Sequence, residues 1–274
     1  MEIVIEAIEY KEFLESIHLV YGYDFTDYVE SSVKRRIVHF MENRKIDTLD
    51  NLREIVLKDE DIFEEFVQGI SITVTEMFRD PLFYKSVREK VMKRLATYPV
   101  IKIWIAGCAT GEEVYSIAIV LREEGLLDRT IIYATDINQK SLQIARQGIY
   151  SLTDMKKYTQ NYLNSGGRES FSTYYTAKYN SVLFEESLKR NIVFASHNLS
   201  ADKSFNEFQL VVCRNVLMYF KSNLQSKVIS LFCDSLCDFG FLALGDKESL
   251  LFSDKSECFE EMNKKEKIYM KVRT

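Results

Sequence analysis

The sequence predicts an α/β fold with a mostly parallel sheet, preceded by a small all-α region. Three observations carry that reading. Residues 1–97 place apolar side chains at helical spacing. From Ile101 onward, short apolar runs alternate with amphipathic stretches, as strands joined by crossover helices do. A stretch near 151–190 breaks this rhythm and is too long for a plain loop, so it reads as an insertion with structure of its own.

Each element follows from its local pattern. Glu9 to Leu19 sets Tyr10, Phe13, Leu14 and Ile17 on one helical face, and Phe25 to Met41 repeats the pattern while carrying Lys34-Arg35-Arg36. Asp47 to Leu57 and Asp59 to Gln68 are shorter helices, each opened by an acid suited to a helix N-terminus. Pro81 sits where a first-turn proline belongs, starting a linking helix through Leu95 that leads to Pro99. The expected division is a helical region over 1–80, a linker helix over 81–98 and a sheet domain over 99–274. Within the last, Ile101 to Ile105 is a strand, followed by a glycine turn and a helix from Glu112 to Glu124. Strand Ile131–Ala134 and helix Asn138–Gln147 come next, then strands at Ile192–Phe194 and Leu210–Val212. Helix Ser222–Cys237 precedes strand Phe241–Leu244, and a strand over Lys267–Val272 closes a hairpin-like edge. Inside the insertion, Phe171 to Tyr175 looks strand-like.

Composition excludes several classes. Hydrophobic residues make up 46% and aromatics 13%, enough for a real core and far from a disordered composition. No apolar run approaches the roughly 20 residues that span a bilayer, and Met1-Glu2-Ile3 lacks a basic signal start, so a cytoplasmic protein without membrane insertion is expected. Five cysteines (108, 213, 233, 237 and 258), with no CxxC pair, point to reduced thiols; Cys233 and Cys237 read as small apolar residues on one helix face, and no metal is expected. The net charge is −5, and residues 1–70 hold 17 acids against eight Lys and Arg. A nucleic-acid binder shows the opposite sign.

Four segments carry candidate chemistry. Gly107-Cys108-Ala109-Thr110-Gly111-Glu112-Glu113 ends the first strand, where glycines let a ligand approach the backbone. It is neither GxGxxG nor a phosphate loop, and two glutamates would repel a diphosphate. They suit an ammonium or sulfonium group instead; a plain turn with acids favouring the helix dipole is the bland reading. Asp136 ends the second strand, where an acid accepts ribose hydroxyls, or merely caps the next helix. Together these two favour a nucleoside and do not separate S-adenosylmethionine from NAD. Asn198-Leu199 and Cys213-Arg214-Asn215, with Tyr219 one helical turn on, end further strands at the same sheet edge. Thr73 to Asp80, taken alone, is a helix entry bearing Arg79.

These segments, in order and spacing, resemble the chemotaxis-receptor methyltransferases, the CheR family. The resemblance rests on Thr75-Glu76-Met77-Phe78-Arg79, on the 107–113 turn with Tyr115-Ser116, on Ala134-Thr135-Asp136-Ile137, on Gly148-Ile149-Tyr150 and on residues 213–220, and it extends from Gly22 to the end. It implies a Rossmann-like S-adenosylmethionine-dependent methyltransferase domain with a small antiparallel insertion, behind a small all-α domain. It places cofactor contacts at Thr75, Arg79, Glu113, Asp136, Asn198, Leu199, Arg214 and Asn215, beside the close approach at Gly107. Glu113 would meet the amino group of the methionine moiety, Asp136 the ribose, and Arg79 and Tyr219 would border the transferred methyl. Thr73 stands where the family carries asparagine, keeping one hydrogen-bonding group, and Val114 stands where a proline is common.

The implied activity is methyl transfer from S-adenosylmethionine, leaving S-adenosylhomocysteine, to glutamate carboxylates of a chemoreceptor or related signalling protein. The implied partner is the cytoplasmic helical domain of that protein, met by a monomer. Because an acidic enzyme must approach an acidic helix, a basic patch is needed, and Lys34, Arg35 and Arg36 form the candidate docking face, with an ordinary solvated helix face as the alternative. In some family members the insertion docks a receptor-tail peptide by strand addition. A non-catalytic S-adenosylmethionine-binding module and a small-molecule methyltransferase are the competing readings, and an NAD oxidoreductase ranks last.

Overall fold

The computed structural model describes residues 5–71, 75–251 and 253–273, so Thr73 lies outside the described residues. Four helices form the first layer: α1 (Ala7–Tyr21), α2 (Glu30–Arg44), α3 (Leu49–Lys58) and α4 (Glu60–Ile70). Thr48 caps α3 by accepting from the Asn51 N–H, and Asp59 caps α4 through the N–H groups of Asp61 and Ile62. Their apolar faces meet in a core of their own around Phe13, Ile17, Ile37, Leu52 and Phe66. Helix α2 starts at Glu30, five residues later than its periodicity suggests. Residues 27–29 instead pair with a distant segment: Val29 N–H donates to Tyr219 O at 2.9 Å, and Lys221 N–H to Asp27 O at 2.8 Å. That exchange satisfies backbone groups a helical turn would otherwise have used.

Residues 81–95 form a continuous helical rod: α5 (Pro81–Ser86), a π turn (Val87–Val91) and α6 (Met92–Leu95). It is packed rather than free, since Phe83, Val87, Val91 and Leu95 share one core with Ile101, Ile103 and Ile105. The remaining elements alternate: β1 (Ile101–Ala106), α7 (Glu112–Glu123), β2 (Thr130–Asp136), α8 (Gln139–Gln147), β3 (Ile149–Ser151), α9 (Met155–Asn164), β4 (Tyr175–Lys178), β5 (Ser181–Phe184), α10 (Glu186–Lys189), β6 (Ile192–Ser196), β7 (Phe208–Cys213), α11 (Ser222–Ser235), β8 (Leu236–Leu244), β9 (Phe259–Asn263) and β10 (Ile268–Lys271). Among the described residues, seven strands form one sheet in the order β6-β2-β1-β7-β8-β10-β9. The first five run parallel and β10 is antiparallel to both its neighbours. Odd positions of β1 face the α5–α6 side while Trp104 and Ala106 face Leu224, Val228 and Phe232 of α11, which is why the strand reads as one apolar run. The chain leaves β1 towards β2 and β6 on one side and returns as β7 on the other, so the switch point lies between β1 and β7.

The insertion is the three-stranded antiparallel sheet β3-β5-β4, beginning at Ile149. Phe171 to Tyr174 is a 3-10 turn rather than the expected strand. Both Phe171 and Tyr174 are buried, and a 3-10 turn puts residues i and i+3 on one side where a strand would split them. Helix α11 stops at Ser235, two residues short of the expected end, so Cys237 lies in β8 and does not share a helix face with Cys233. Among the described residues no helix is long and apolar enough to cross a membrane.

Candidate active site

The turn after β1 is built around close approach. Gly107 has φ +74°, and a Cβ there would lie 2.5 Å from Val216 Cγ2. Its N–H and that of Cys108 both donate to Thr135 O, folding the turn back on β2. Asp136, at the end of β2, accepts from Ala109 N–H at 2.8 Å and Asn138 N–H at 2.9 Å, one on each oxygen. Each oxygen keeps acceptor capacity for a ligand hydroxyl. Burial pushes the Asp136 carboxyl above its ordinary pKa, against the pull of those N–H groups.

Two adjoining hollows meet at this turn, sharing Gly107, Asn215 and Val216. The larger spans about 800 Å³, counting the open solvent at its mouth, and includes Asp136, Asn198, Leu199, Asn215 and Tyr219. The helical layer forms its other wall, through Phe25, Tyr28, Val33, Arg36 and Ile70. The smaller, about 450 Å³, is lined by Thr75, Arg79, Glu113 and Arg214. Every described residue expected to contact a cofactor therefore lines one hollow or the other.

Arg214 ties the smaller hollow together. Its Nη1 donates to Glu113 Oε1 at 2.8 Å and to Arg79 O at 3.3 Å, and its Nη2 to Asp80 Oδ2 at 2.6 Å. The guanidinium lies 4.1 Å from the centroid of Phe83 and the side chain is 3% exposed. Burial alone would favour deprotonation, but Glu113, Tyr84 and Asp80 hold its pKa above the ordinary arginine value. Tyr84 OH also donates to Glu113 Oε1, at 3.3 Å, so both bonds fall on one oxygen of Glu113. Arg79 itself sits between two left-handed residues, Phe78 (φ +52°) and Asp80 (φ +57°), and Phe78 N–H is pinned by Ser116 Oγ. Such backbone is costly and persists where the surroundings over-determine it.

The comparisons with known proteins settle the family. Residues 8–71 match the CheR methyltransferase all-alpha domain, and residues 73–268 the CheR methyltransferase SAM binding domain. This chain belongs to the CheR methyltransferase family. It is 51% identical over 264 residues to the putative methyltransferase Cher3 of Pseudomonas putida, covering 96% of this chain and 97% of that one. It is 31% identical to the chemotaxis protein methyltransferase of Listeria innocua, over 89% of this chain and 90% of that one. With chemotaxis protein methyltransferase 1 of Vibrio cholerae the identity is 30%, over 93% and 94%. This CheR-family chain thus carries an S-adenosylmethionine-binding methyltransferase domain, and its residues fit that cofactor: a glycine the ligand can approach, an acid at the β2 end for hydroxyls and Glu113 for an ammonium.

The three basic residues of the 34–36 run on α2 diverge, as successive positions on a helix must. Lys34 is engaged by Ile5 O at 3.1 Å and Glu30 at 3.0 Å. Arg35 is exposed. Arg36 turns inward, donating to Gly69 O and Ser71 O and lining the larger hollow. Sequence reasoning missed this inward role, and it missed Asp80, Tyr84 and Glu248. The signal for Glu248 was present: Gly245 to Glu248 follow a parallel strand and so return to the same sheet edge.

Proposed function

We propose that the chain transfers methyl groups to glutamate carboxylates of a chemoreceptor or related signalling protein. The observation that carries this reading is the set of cations around the hollows: Arg36 shares one with Tyr219 and Asn215, and Arg79 lines the other. When bound, S-adenosylmethionine supplies a methyl on a sulfonium, electrophilic without protonation. A glutamate acceptor is already ionised at neutral pH, so alignment and exclusion of water are the tasks left to the protein. Arg79 holds the acceptor carboxylate by charge-assisted hydrogen bonds, and Tyr219 orients it or the cofactor. Cofactor contacts are assigned to Thr73, Thr75, Arg79, Gly107, Glu113, Asp136, Asn198, Leu199, Arg214 and Asn215. The wall contributed by the helical layer suits a macromolecular acceptor, and the names of the Listeria and Vibrio relatives agree with a chemotaxis role. Arg35 is the docking cation on α2, and β4, at the edge of the small sheet, is where a peptide strand would add.

Labelled cofactor incubated with receptor fragments, followed by mild alkali, tests the reading. Methanol release marks esters, whereas alkali-stable label would contradict it. In single-turnover assays Arg79→Ala should react far more slowly than wild type and Arg79→Lys should recover little, because a point charge does not reproduce a planar two-pronged contact. Equal rates for wild type and Arg79→Ala would make Arg79 structural.

A further inference from the structure

The loop after β7 carries Arg214, Asn215 and Tyr219, and nothing regular holds it. Asn215 adopts φ +61°, and only a single 3-10 turn, Leu217–Tyr219, follows before α11. Its inward N–H groups converge on one side chain from the loop after β8. Glu248 Oε1 accepts from Val216 N–H at 2.8 Å and Met218 N–H at 3.3 Å. Glu248 Oε2 accepts from Asn215 N–H at 3.1 Å and Gly245 N–H at 2.6 Å. The residue is 3% exposed. An ionised carboxylate suits this place because both arms accept and neither carries a hydrogen, whereas an amide would turn an N–H₂ towards two donors. Gly245 makes room for it: a Cβ there would lie 2.8 Å from both Asn215 N and Glu248 Oε2.

We infer that Glu248 is a positioning residue for cofactor binding, its carboxylate fixing the backbone of residues 215–218 and so setting Asn215 and Tyr219 in the cleft. The inference rests on Asn215 and Tyr219 serving the cofactor's cleft and does not depend on which acceptor is methylated. Failure of the glutamate assignment would leave its test unaffected, since the readouts are product binding and amide exchange.

Two variants probe it. Glu248→Gln removes the charge and one acceptor arm, while Gly245→Ala keeps the carboxylate and wedges it away from the loop. In both, the amides of residues 215, 216 and 218 should exchange with solvent at least about tenfold faster than in wild type, while those of Val211, Val212 and Leu242 in the strands stay protected. S-adenosylhomocysteine affinity by calorimetry should fall on the order of tenfold in each. Loop amides that stay protected in a folded variant overturn the inference. So does faster loop exchange with unchanged product affinity, which would make Glu248 a brace without consequence for binding. Should Glu248→Gln fail to fold, Gly245→Ala decides by the same two readouts.

Discussion

Asp136 and Arg214 each join separate segments of the protein beside this cleft. Arg214 spends both Nη atoms on Glu113, Asp80 and the Arg79 carbonyl, so its first effect is to hold the 79–80 segment against the start of α7. Removing it would leave the half-buried Glu113 without its counter-charge and free the 79–80 segment from α7. Asp136 links the glycine turn to α8 through one N–H on each oxygen, and a ligand hydroxyl would add to those bonds. Asp136→Ala should weaken S-adenosylhomocysteine binding by about 1–3 kcal/mol through lost charge-assisted hydrogen bonds. Calorimetry that returned an unchanged affinity would remove the ribose contact from this site.

Among the elements, the rod over residues 81–95 does more than connect. Its π turn accommodates Arg88 against α7, where Nη2 lies 2.5 Å from Glu123 Oε2, with both side chains almost wholly buried. Glu123 also accepts from Tyr162 OH, from Tyr174 OH at 3.0 Å and from Arg168 N–H at 3.0 Å, so one carboxylate joins the rod, α7 and the inserted subdomain. Burial pushes its pKa up, but the Tyr162 hydroxyl, the Arg168 N–H and the Arg88 charge outweigh that and hold it below the ordinary 4.5. A depressed folded pKa stabilises the folded state above the unfolded value, and the gain is lost as pH falls through the folded one. The melting temperature of wild type should therefore drop on acidification below about pH 4.5, and Glu123→Gln should lose that part of the slope. The variant should also be less stable at neutral pH, because Arg88 would keep only the Glu124 carboxylate, 3.7 Å away. Parallel slopes in thermal melts of the two proteins from pH 6 downward would show that Glu123 titrates normally. At the same scale, residues 171–175 look strand-like in sequence, but shared burial of Phe171 and Tyr174 goes with a 3-10 turn over 171–174.

For the whole molecule, charge and the seam between the two layers matter most. With a net charge of −5 and 17 acids in its first 70 residues, the chain repels an acidic partner at long range. Arg35, exposed on α2, is the basic residue of the 34–36 run left facing outward, so the proposed docking falls to it. Arg35→Glu should raise the apparent KM for a receptor fragment and flatten its salt dependence, with product affinity unchanged. Identical salt slopes for variant and wild type would move docking elsewhere, with the edge of β4 next in line. The seam itself rests on residues 27–29 pairing with 219–221 and on the edge-to-face contact of Tyr28 with Phe220 at 4.8 Å. Through it the helical layer becomes a wall of the larger hollow.

The sequence by itself determined the helices of the first layer, where along the chain the strands of a mostly parallel sheet fall, and the polar residues that end them. These are properties of short range: an apolar period of 3.6, an apolar run buried on both faces, a glycine where φ is positive. Tertiary structure alone decided which faces of the 34–36 run point inward, where α2 starts, that residues 81–95 are core, and that Glu248 serves the loop bearing Asn215. Each of these depends on N–H groups, charges or apolar faces finding partners outside their own element. Local periodicity carries no record of such partners, because the requirement to satisfy them arises only once distant segments have been brought together and shut off from water.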